Sequence, residues 1–436
     1  MSPEGPGYPS KNTIKIGLIL FFSLFLLYVF LGTHLERAAS HPYKYYDVLF
    51  ELDTPRVIGD MTDFHADHFR TKVHPLYVLF VNPIGVLLTK LVKNREAFFS
   101  IALGSFFASL SAFLSFILFR RMTQSVVKPL CLSLIFACSM SQFILSCVPE
   151  TASLATLSLL VTYTVFWTDL YRRRVPLAVW VLCGIFSFGV TTTNLAQTLV
   201  CFGVSRLALS QGSWKKSLKP VLLFMGSVVS ITAVLAVVQK LIYRSSGLFF
   251  KMSSYQEDMR YTSIGILAHP VKIAGQLFKH FCIVNVIGPF PHETEIGKRP
   301  LPSLTFSTSW DFSMFGYAAL LLWTALIVTG IDTDHFKKFK WFYAGLALCV
   351  LGNLTLHSFY GTGSDGNTAY FLYTGNFTFA VIALFSIKHL YSPKKFSTVG
   401  LVLLCLTLAA NNLTVFRHMI QFYEQAKPLQ TAAQTA

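Results

Sequence analysis

The sequence predicts an all-α polytopic membrane protein with about eleven transmembrane helices. Of its 436 residues, 53% are hydrophobic and 13% are charged, whereas a soluble domain typically carries about 25% charged residues. Short basic connections separate several of the long apolar segments, as is typical of cytoplasmic loops. We therefore assign the net charge of +16 to membrane topology, and we expect the bilayer but no nucleic acid as a partner.

The apolar segments divide the chain into an N-terminus, a single transmembrane domain and a tail. Residues 1–13 are rich in Pro and Gly and are expected to be disordered, residues 14–415 form the domain, and residues 416–436 form a polar tail. The predicted spans lie at about 14–33, 97–119, 129–147, 152–171, 176–192, 194–210, 219–242, 312–331, 341–357, 372–390 and 397–415.

Residues 74–92 are apolar, but Pro83 and Gly85 interrupt them. If they crossed the bilayer, the fifteen cations of five later connections would lie on the wrong side. We therefore predict an in-plane or re-entrant helix here, on the outer face of the cytoplasmic (inner) membrane. Loops 34–96 and 244–311 then share that face, and a cavity is expected between them. A twelve-span arrangement, with the N-terminus outside and the first loop inside, also fits the charges.

Residues 47–75 are the most polar stretch of the domain. They hold six of the twenty acidic residues of the chain and three of its twelve histidines. Such a stretch between apolar segments is expected to lie at a membrane surface, where charges stay hydrated. It predicts either an active-site loop or an ordinary solvated loop.

Four motifs follow one another in the first half of the chain. DTPR occupies residues 53–56, HPLY occupies residues 74–77, two arginines end a span at 120–121, and Pro-Glu occupies residues 149–150. In this order they resemble the GT-C membrane glycosyltransferases, which include the protein O-mannosyltransferases and the bacterial aminoarabinose transferase. The resemblance covers roughly residues 14–210. The chain lacks the second proline of the HPPLY stretch of many bacterial members, and it lacks their Asp-Glu or Asp-x-Asp pair.

The resemblance implies a polyprenyl-phosphate sugar as donor and a glycan, lipid or protein as acceptor at the outer face. Such transfer needs a carboxylate to take the acceptor proton and cations to balance the departing phosphate. Asp53 is then the first candidate for the base and Asp60 the second, while Glu150 would orient the acceptor or assist the base. Arg56 would hold the phosphate. Alternatively, the acids are helix-start or turn residues, and Arg56 pairs with one of the two aspartates.

Further substrate-binding residues are predicted in the outer loops. Proline at a helix start and a polar stripe predict an amphipathic helix after residue 269, which would clamp the lipid phosphate or simply anchor the loop. Tyrosines at the outer face suit a sugar ring but are also common at membrane interfaces. The predicted binding residues are His74, Arg260, Lys272, Lys279, Tyr360 and Tyr373, of which His74 can instead be a helix-start residue.

The polar loop is also dense enough in ligands to hold a divalent metal ion. Its carboxylates and imidazoles suit manganese or zinc better than calcium, although their spacing matches no strong metal motif, so no cofactor is certain. The candidate metal ligands are Asp60, Asp63, His65, Asp67 and His68.

Two other classes of function fit the same membrane domain: a transporter or flippase of lipid-linked glycans, and a non-catalytic assembly subunit. The centres of the predicted spans contain no Asp, Glu, Lys or Arg, which argues against an ion-coupled carrier. For an enzyme, we expect Asp53→Asn or Asp60→Asn to abolish transfer while stability stays near that of the wild type, because both lie in a polar loop.

Overall fold

The computed structural model describes most of the chain. The described residues are 10–38, 43–45, 48–123, 125–172, 174–256, 262, 270–295, 302–306, 309–330, 337–360, 370–393 and 395–435. Arg260 and most of the predicted disordered N-terminus lie outside them. Helix α1 already begins at Lys11, inside the segment that was expected to be disordered.

Helices dominate the described residues. The first ten are α1 (Lys11–Ala38), α2 (Thr54–Thr62), α3 (Tyr77–Leu91), α4 (Glu96–Met122), α5 (Val127–Cys138), α6 (Met140–Cys147), α7 (Ala152–Tyr171), α8 (Leu177–Val190), α9 (Asn194–Leu209) and α10 (Trp214–Ile242). The others are α11 (Pro270–Phe278), α12 (Met314–Gly330), α13 (Lys340–Phe359), α14 (Tyr370–Tyr373), α15 (Thr378–Tyr391) and α16 (Lys395–Thr435).

The membrane character is supported, whereas the predicted number of eleven spans is not confirmed. Among the described residues, six helices are long and apolar enough to cross a bilayer: α1, α4, α7, α10, α13 and α16. The pairs α5–α6 and α14–α15 each bend by 60° at a break and would raise the number to eight. The predicted spans at 176–192, 194–210 and 312–331 form helices of 14, 16 and 17 residues, which are short against the roughly 20 needed.

Residues 74–92, predicted to lie in the membrane plane, contain helix α3, which has 15 residues with Pro83 inside. The helix packs against α2. Asn82 Nδ2 donates to the carbonyl oxygens of Asp60 and Asp63, both at 3.0 Å. Gly85 lies directly against α2, since a Cβ atom there would stand 2.0 Å from the Met61 carbonyl oxygen. The helix is shorter than a typical span, and its orientation in the membrane stays a prediction.

The long loop after α10 contains the one pair of β-strands in the described part of the chain. Strands β1 (His292–Glu295) and β2 (Pro302–Thr305) form an antiparallel pair. The Phe50 amide donates to the Leu304 carbonyl at 2.9 Å, and the Leu304 amide donates to the Val48 carbonyl at 3.1 Å. These hydrogen bonds satisfy backbone groups that lie outside the helices. The two bonds of Leu304 with Phe50 and Val48 also join the first loop to the later one.

The C-terminal segment also differs from the prediction. Helix α16 continues to Thr435, through the residues that were expected to form a polar tail. The Tyr423 hydroxyl of this extension donates to the Val48 carbonyl at 2.9 Å, and the Tyr423 side chain is buried. The extension therefore packs against the first loop.

Candidate functional site

Helix α2 places one arginine between two carboxylates. Arg56 Nε donates to Asp53 Oδ2 at 3.2 Å, and Arg56 Nη1 donates to Asp60 Oδ2 at 2.8 Å. Spacings of three and four residues put all three side chains on one helix face. Burial disfavours the guanidinium charge, but the carboxylates of Asp60 and Asp53 outweigh it and raise the pKa of Arg56 above its usual value. Arg56 is therefore a fixed cation.

Both carboxylate oxygens of Asp60 have hydrogen-bond partners inside the protein. It is 2% exposed, and its Oδ1 atom lies 2.7 Å from Nδ1 of the buried His68. Its other oxygen accepts from Arg56. Asp60 does not line the cavity described next, so its position does not support the predicted role as the base. It fixes Arg56 instead.

A cavity of about 220 Å³ lies where the first loop meets the helix ends. Its charged and titratable lining residues are Asp53, Arg56, Arg70, His74, Glu150, His357, Tyr255, Tyr360 and Tyr373. The structure thus brings together six of the predicted residues: Asp53, Arg56, His74, Glu150, Tyr360 and Tyr373. The loop 244–311 contributes Tyr255, so both predicted loops reach this cavity.

The HPLY stretch is held by the C-terminal end of α8. The Leu76 amide donates to the Gly189 carbonyl at 2.7 Å, and His74 Nδ1 lies 2.8 Å from the Val190 carbonyl. A carbonyl only accepts, so Nδ1 carries the proton and Nε2 is an acceptor. Burial, together with the charges of Arg56 and Arg70, lowers the pKa of His74 to about 3. His74 is therefore neutral near pH 7.

Glu150 lies in the short connection between α6 and α7. Its side chain is buried, and Oε1 accepts from the Thr151 amide at 2.8 Å and from Thr151 Oγ1 at 2.9 Å. Within the described part of the chain, Oε2 meets no hydrogen-bond donor. Burial raises the pKa of Glu150, although the Arg56 charge opposes the shift. The turn thus presents a buried carboxylate with one oxygen available to a ligand.

Aromatic side chains form another wall of the cavity. The His357 and Tyr373 rings stack with their centroids 4.5 Å apart, and the Tyr360 and Tyr373 rings are 5.8 Å apart. His357 and Tyr360 come from the C-terminal end of α13, while Tyr373 ends α14. The bend between α14 and α15 therefore brings Tyr373 to the end of α13.

Several residues of the cavity were not identified from the sequence. Arg70, in a 3₁₀ turn at Phe69–Lys72, has its Nε atom 4.0 Å from Asp53 Oδ2 and faces the same cavity as Arg56. Thr191–Thr193, Tyr255 and Asn376 also line it. Arg70 was recognisable as a cation of the polar loop, but no helical spacing links it to Arg56. The tertiary fold brings these residues together.

The predicted basic stripe of the later loop lies elsewhere. Lys272 is exposed on α11, whereas Lys279 is buried in a π-helical turn, Lys279–Val284, and neither lines the cavity. Lys279 Nζ donates to the Phe306 carbonyl at 3.0 Å and lies 4.9 Å from the Trp310 ring centroid. Burial lowers the pKa of Lys279 to about 8. The π-helical turn breaks the α-helical period on which the predicted stripe depended.

The five predicted metal ligands do not converge. Asp60 and His68 are buried and paired with each other, whereas Asp63, His65 and Asp67 are exposed on the loop. Across the described residues, no group of three His, Cys, Asp or Glu side chains is arranged to hold a metal ion. Asp60 also faces Arg56, whose positive charge would oppose a bound cation.

Comparison with known proteins adds no identification. No model of a protein family matches the chain, and no curated protein matches it.

Proposed function

We propose that the protein is a membrane glycosyltransferase that moves a sugar from a polyprenyl-phosphate donor to a hydroxyl acceptor. The observation that carries the proposal is the composition of the cavity. Two guanidinium groups, two carboxylates and an aromatic wall line the same space of about 220 Å³. Each of the three parts corresponds to one requirement of the reaction.

The guanidinium groups suit the phosphate of the donor. Arg56 and Arg70 both approach Asp53 Oδ2, at 3.2 and 4.0 Å, so their charged groups lie near one another at the cavity wall. Arginine binds phosphate oxygens through paired, charge-assisted hydrogen bonds. As the bond from sugar to phosphate breaks, negative charge grows on the phosphate, and fixed cations stabilise it.

The carboxylates suit the acceptor. A hydroxyl group becomes a good nucleophile when a carboxylate takes its proton, and this typically contributes about 10²–10⁴-fold to the rate. Asp53, with a side chain 28% exposed, and the buried Glu150 are the carboxylates that line the cavity. Tyr360, Tyr373 and His357 offer flat apolar faces against which a sugar ring can pack.

The chain path favours an outward-facing site. Glu150 precedes the first residue of α7, while Arg172 and Arg174 follow its last. Asn376 precedes α15, while Lys388 lies in its last turn. The cavity thus lies at the helix ends opposite to the basic ends. Because basic helix ends usually face the cytoplasm, the cavity would face outward. We include three further features in this proposal: the eleven-span topology, the in-plane position of α3 and the inner-membrane location.

The experiment is transfer of labelled sugar from a panel of polyprenyl-phosphate sugars, using the full-length protein in lipid vesicles. We expect donor-dependent formation of glycosylated acceptor and release of polyprenyl phosphate. Arg70→Gln should raise the KM for donor about tenfold or more, because one phosphate-binding cation is lost. Arg95→Gln removes an exposed arginine of the same loop, outside the cavity, and should leave the KM unchanged.

Three results would contradict the proposal. One is the absence of transfer with every donor of the panel. Another is an equal change of KM in the Arg70 and Arg95 variants, which would mean that charge in the loop matters but the cavity does not. Movement of an intact lipid-linked sugar across the vesicle membrane without cleavage would instead identify a flippase.

A further inference from the structure

We infer that Glu150, and not Asp53, takes the proton of the acceptor hydroxyl, and that Asp53 positions the phosphate-binding arginines. The inference rests on the proposed transfer reaction and assigns the two carboxylates of the cavity to different tasks. The sequence alone favoured Asp53 as the base, since it begins the DTPR motif. The surroundings of the two side chains point the other way.

Glu150 presents a single, oriented acceptor to the cavity. The amide and the hydroxyl of Thr151 both donate to Oε1, at 2.8 and 2.9 Å, which fixes the carboxylate. Oε2 is buried, and no donor in the described residues reaches it. A buried carboxylate oxygen without a partner costs free energy, unless a ligand supplies the missing donor. An acceptor hydroxyl is such a donor.

Asp53 is engaged differently. Its Oδ2 atom accepts from Arg56 Nε at 3.2 Å and lies 4.0 Å from Arg70 Nε. This oxygen therefore faces the two cations that the donor phosphate needs. A carboxylate so placed holds guanidinium groups in position, because the ion pairs fix their long side chains. Protonation of Asp53 would weaken those ion pairs during the reaction.

A second buried acceptor accompanies Glu150. Asn376 Oδ1 also lines the cavity and meets no donor among the described residues. His74 Nε2 is an acceptor too, because Nδ1 carries the ring proton. The cavity therefore has donors at Arg56 and Arg70 and acceptors near Glu150. A sugar phosphate and a hydroxyl acceptor together satisfy both sets.

In the proposed transfer step, two bonds break and two bonds form. The acceptor O–H bond breaks and its proton passes to Glu150 Oε2. The acceptor oxygen forms a bond to the anomeric carbon of the sugar, and the bond from that carbon to the phosphate oxygen breaks. The electron pair leaves with the phosphate, whose added charge faces Arg56 and Arg70. Glu150 later returns the proton to solvent.

The test compares the kinetics of Glu150→Gln and Asp53→Asn for sugar transfer. Glu150→Gln should lower kcat about 10²-fold or more, while the Kd for polyprenyl phosphate alone stays within about threefold of the wild type. Asp53→Asn should chiefly weaken donor binding and raise its KM. Glu150→Asp should restore part of kcat. The exposed Glu96, replaced by Gln, is the matched control and should change neither constant.

The pH profile separates a base from a merely structural residue. Around Glu150, the groups that influence its charge are Arg56 and Asp53 of the α2 segment, Tyr77 of α3, and Thr151 of its own turn. Thr151 donates to the carboxylate and lowers its pKa, so Thr151→Val should move the acid limb of kcat to higher pH. Asp53→Asn removes a neighbouring negative charge and should therefore move the acid limb of kcat to lower pH.

Two outcomes would overturn the inference while leaving the proposed function intact: near wild-type kcat in Glu150→Gln, or an acid limb that Thr151→Val does not move but Asp53→Asn abolishes. Both outcomes can be observed only if the wild-type enzyme transfers sugar. A wild type that transfers nothing contradicts the proposed function itself, and the inference with it.

Discussion

Asp60 and His68 are buried behind the cavity wall, next to Arg56, which is itself buried and lines the cavity. Asp60 is 2% exposed and accepts from both partners, at 2.8 and 2.7 Å. Removing one partner of a buried ion pair leaves an uncompensated charge. The expectation that Asp60→Asn leaves stability near wild type therefore needs revision, since it assumed a hydrated side chain.

We predict that Asp60→Asn destabilises the protein by about 3–5 kcal/mol, as is typical when a buried ion pair loses one partner. The measurement is thermal unfolding in detergent. Asp67→Asn, an exposed acid of the same loop, is the control and should change the unfolding temperature little. Equal unfolding temperatures for the two variants would show that Asp60 is hydrated.

His74 gives a prediction for pH. Its pKa is about 3 in the folded protein and about 6.5 in an unfolded chain, so the unfolded chain binds more protons between these values. Stability should therefore fall as pH drops below about 6.5, with a contribution of about 2 kcal/mol by pH 5. In His74→Gln, the loss of unfolding temperature between pH 7.5 and 5 should be smaller. An unchanged loss would mean that His74 is protonated when folded.

At the scale of helices and strands, the hydrophobic pattern of the sequence predicted where the helices lie better than it predicted how long they are. Each of the eleven predicted spans coincides with a helix or a bent helix pair, because apolar runs of this kind favour helices in a bilayer. The bends at Ser139 and Phe377 and the short lengths of α8, α9 and α12 depend on tertiary packing. Helix α2 was not identified, because its nine residues are too few for a clear period.

The contact between α2 and α3 can be tested by replacing Gly85, which lies at this contact. In Gly85→Ala, the new Cβ atom would stand 2.0 Å from the Met61 carbonyl oxygen, so the two helices must separate. We expect a destabilisation of about 1–3 kcal/mol, measured as thermal stability. Gly203→Ala in α9 is the matched control: nothing lies within 4 Å of its new Cβ, and alanine favours a helix. Equal effects of the two changes would argue against this packing.

The in-plane position of α3 is a separate prediction. The exposed residues His65 and Lys93 flank the helix, and each can be replaced by cysteine. If α3 does not cross the bilayer, both cysteines should react with an impermeant thiol reagent added outside intact cells. Reaction at only one of the two positions would show that α3 spans the membrane and that the eleven-span topology is wrong.

At the scale of the whole molecule, the cavity is a product of the fold. Glu150 lies about one hundred residues from Asp53 in sequence, and Tyr360 and Tyr373 lie more than two hundred further on. Motif order suggested that Asp53, Arg56 and Glu150 belong together, and these three line one cavity. Arg70 and Asn376 belong to no motif, and only the tertiary fold brings them to this cavity. The buried environment of Asp60 was equally invisible in a loop of mostly polar residues.

The proposed function requires this cavity to hold the phosphate of a lipid-linked sugar. The most direct test is an experimental structure of the full chain in lipid, with polyprenyl phosphate bound. We predict that the phosphate lies within about 3 Å of the guanidinium groups of both Arg56 and Arg70, with the lipid chain leading into the bilayer. A phosphate bound at Lys272 on α11, with the cavity unoccupied, would contradict the account.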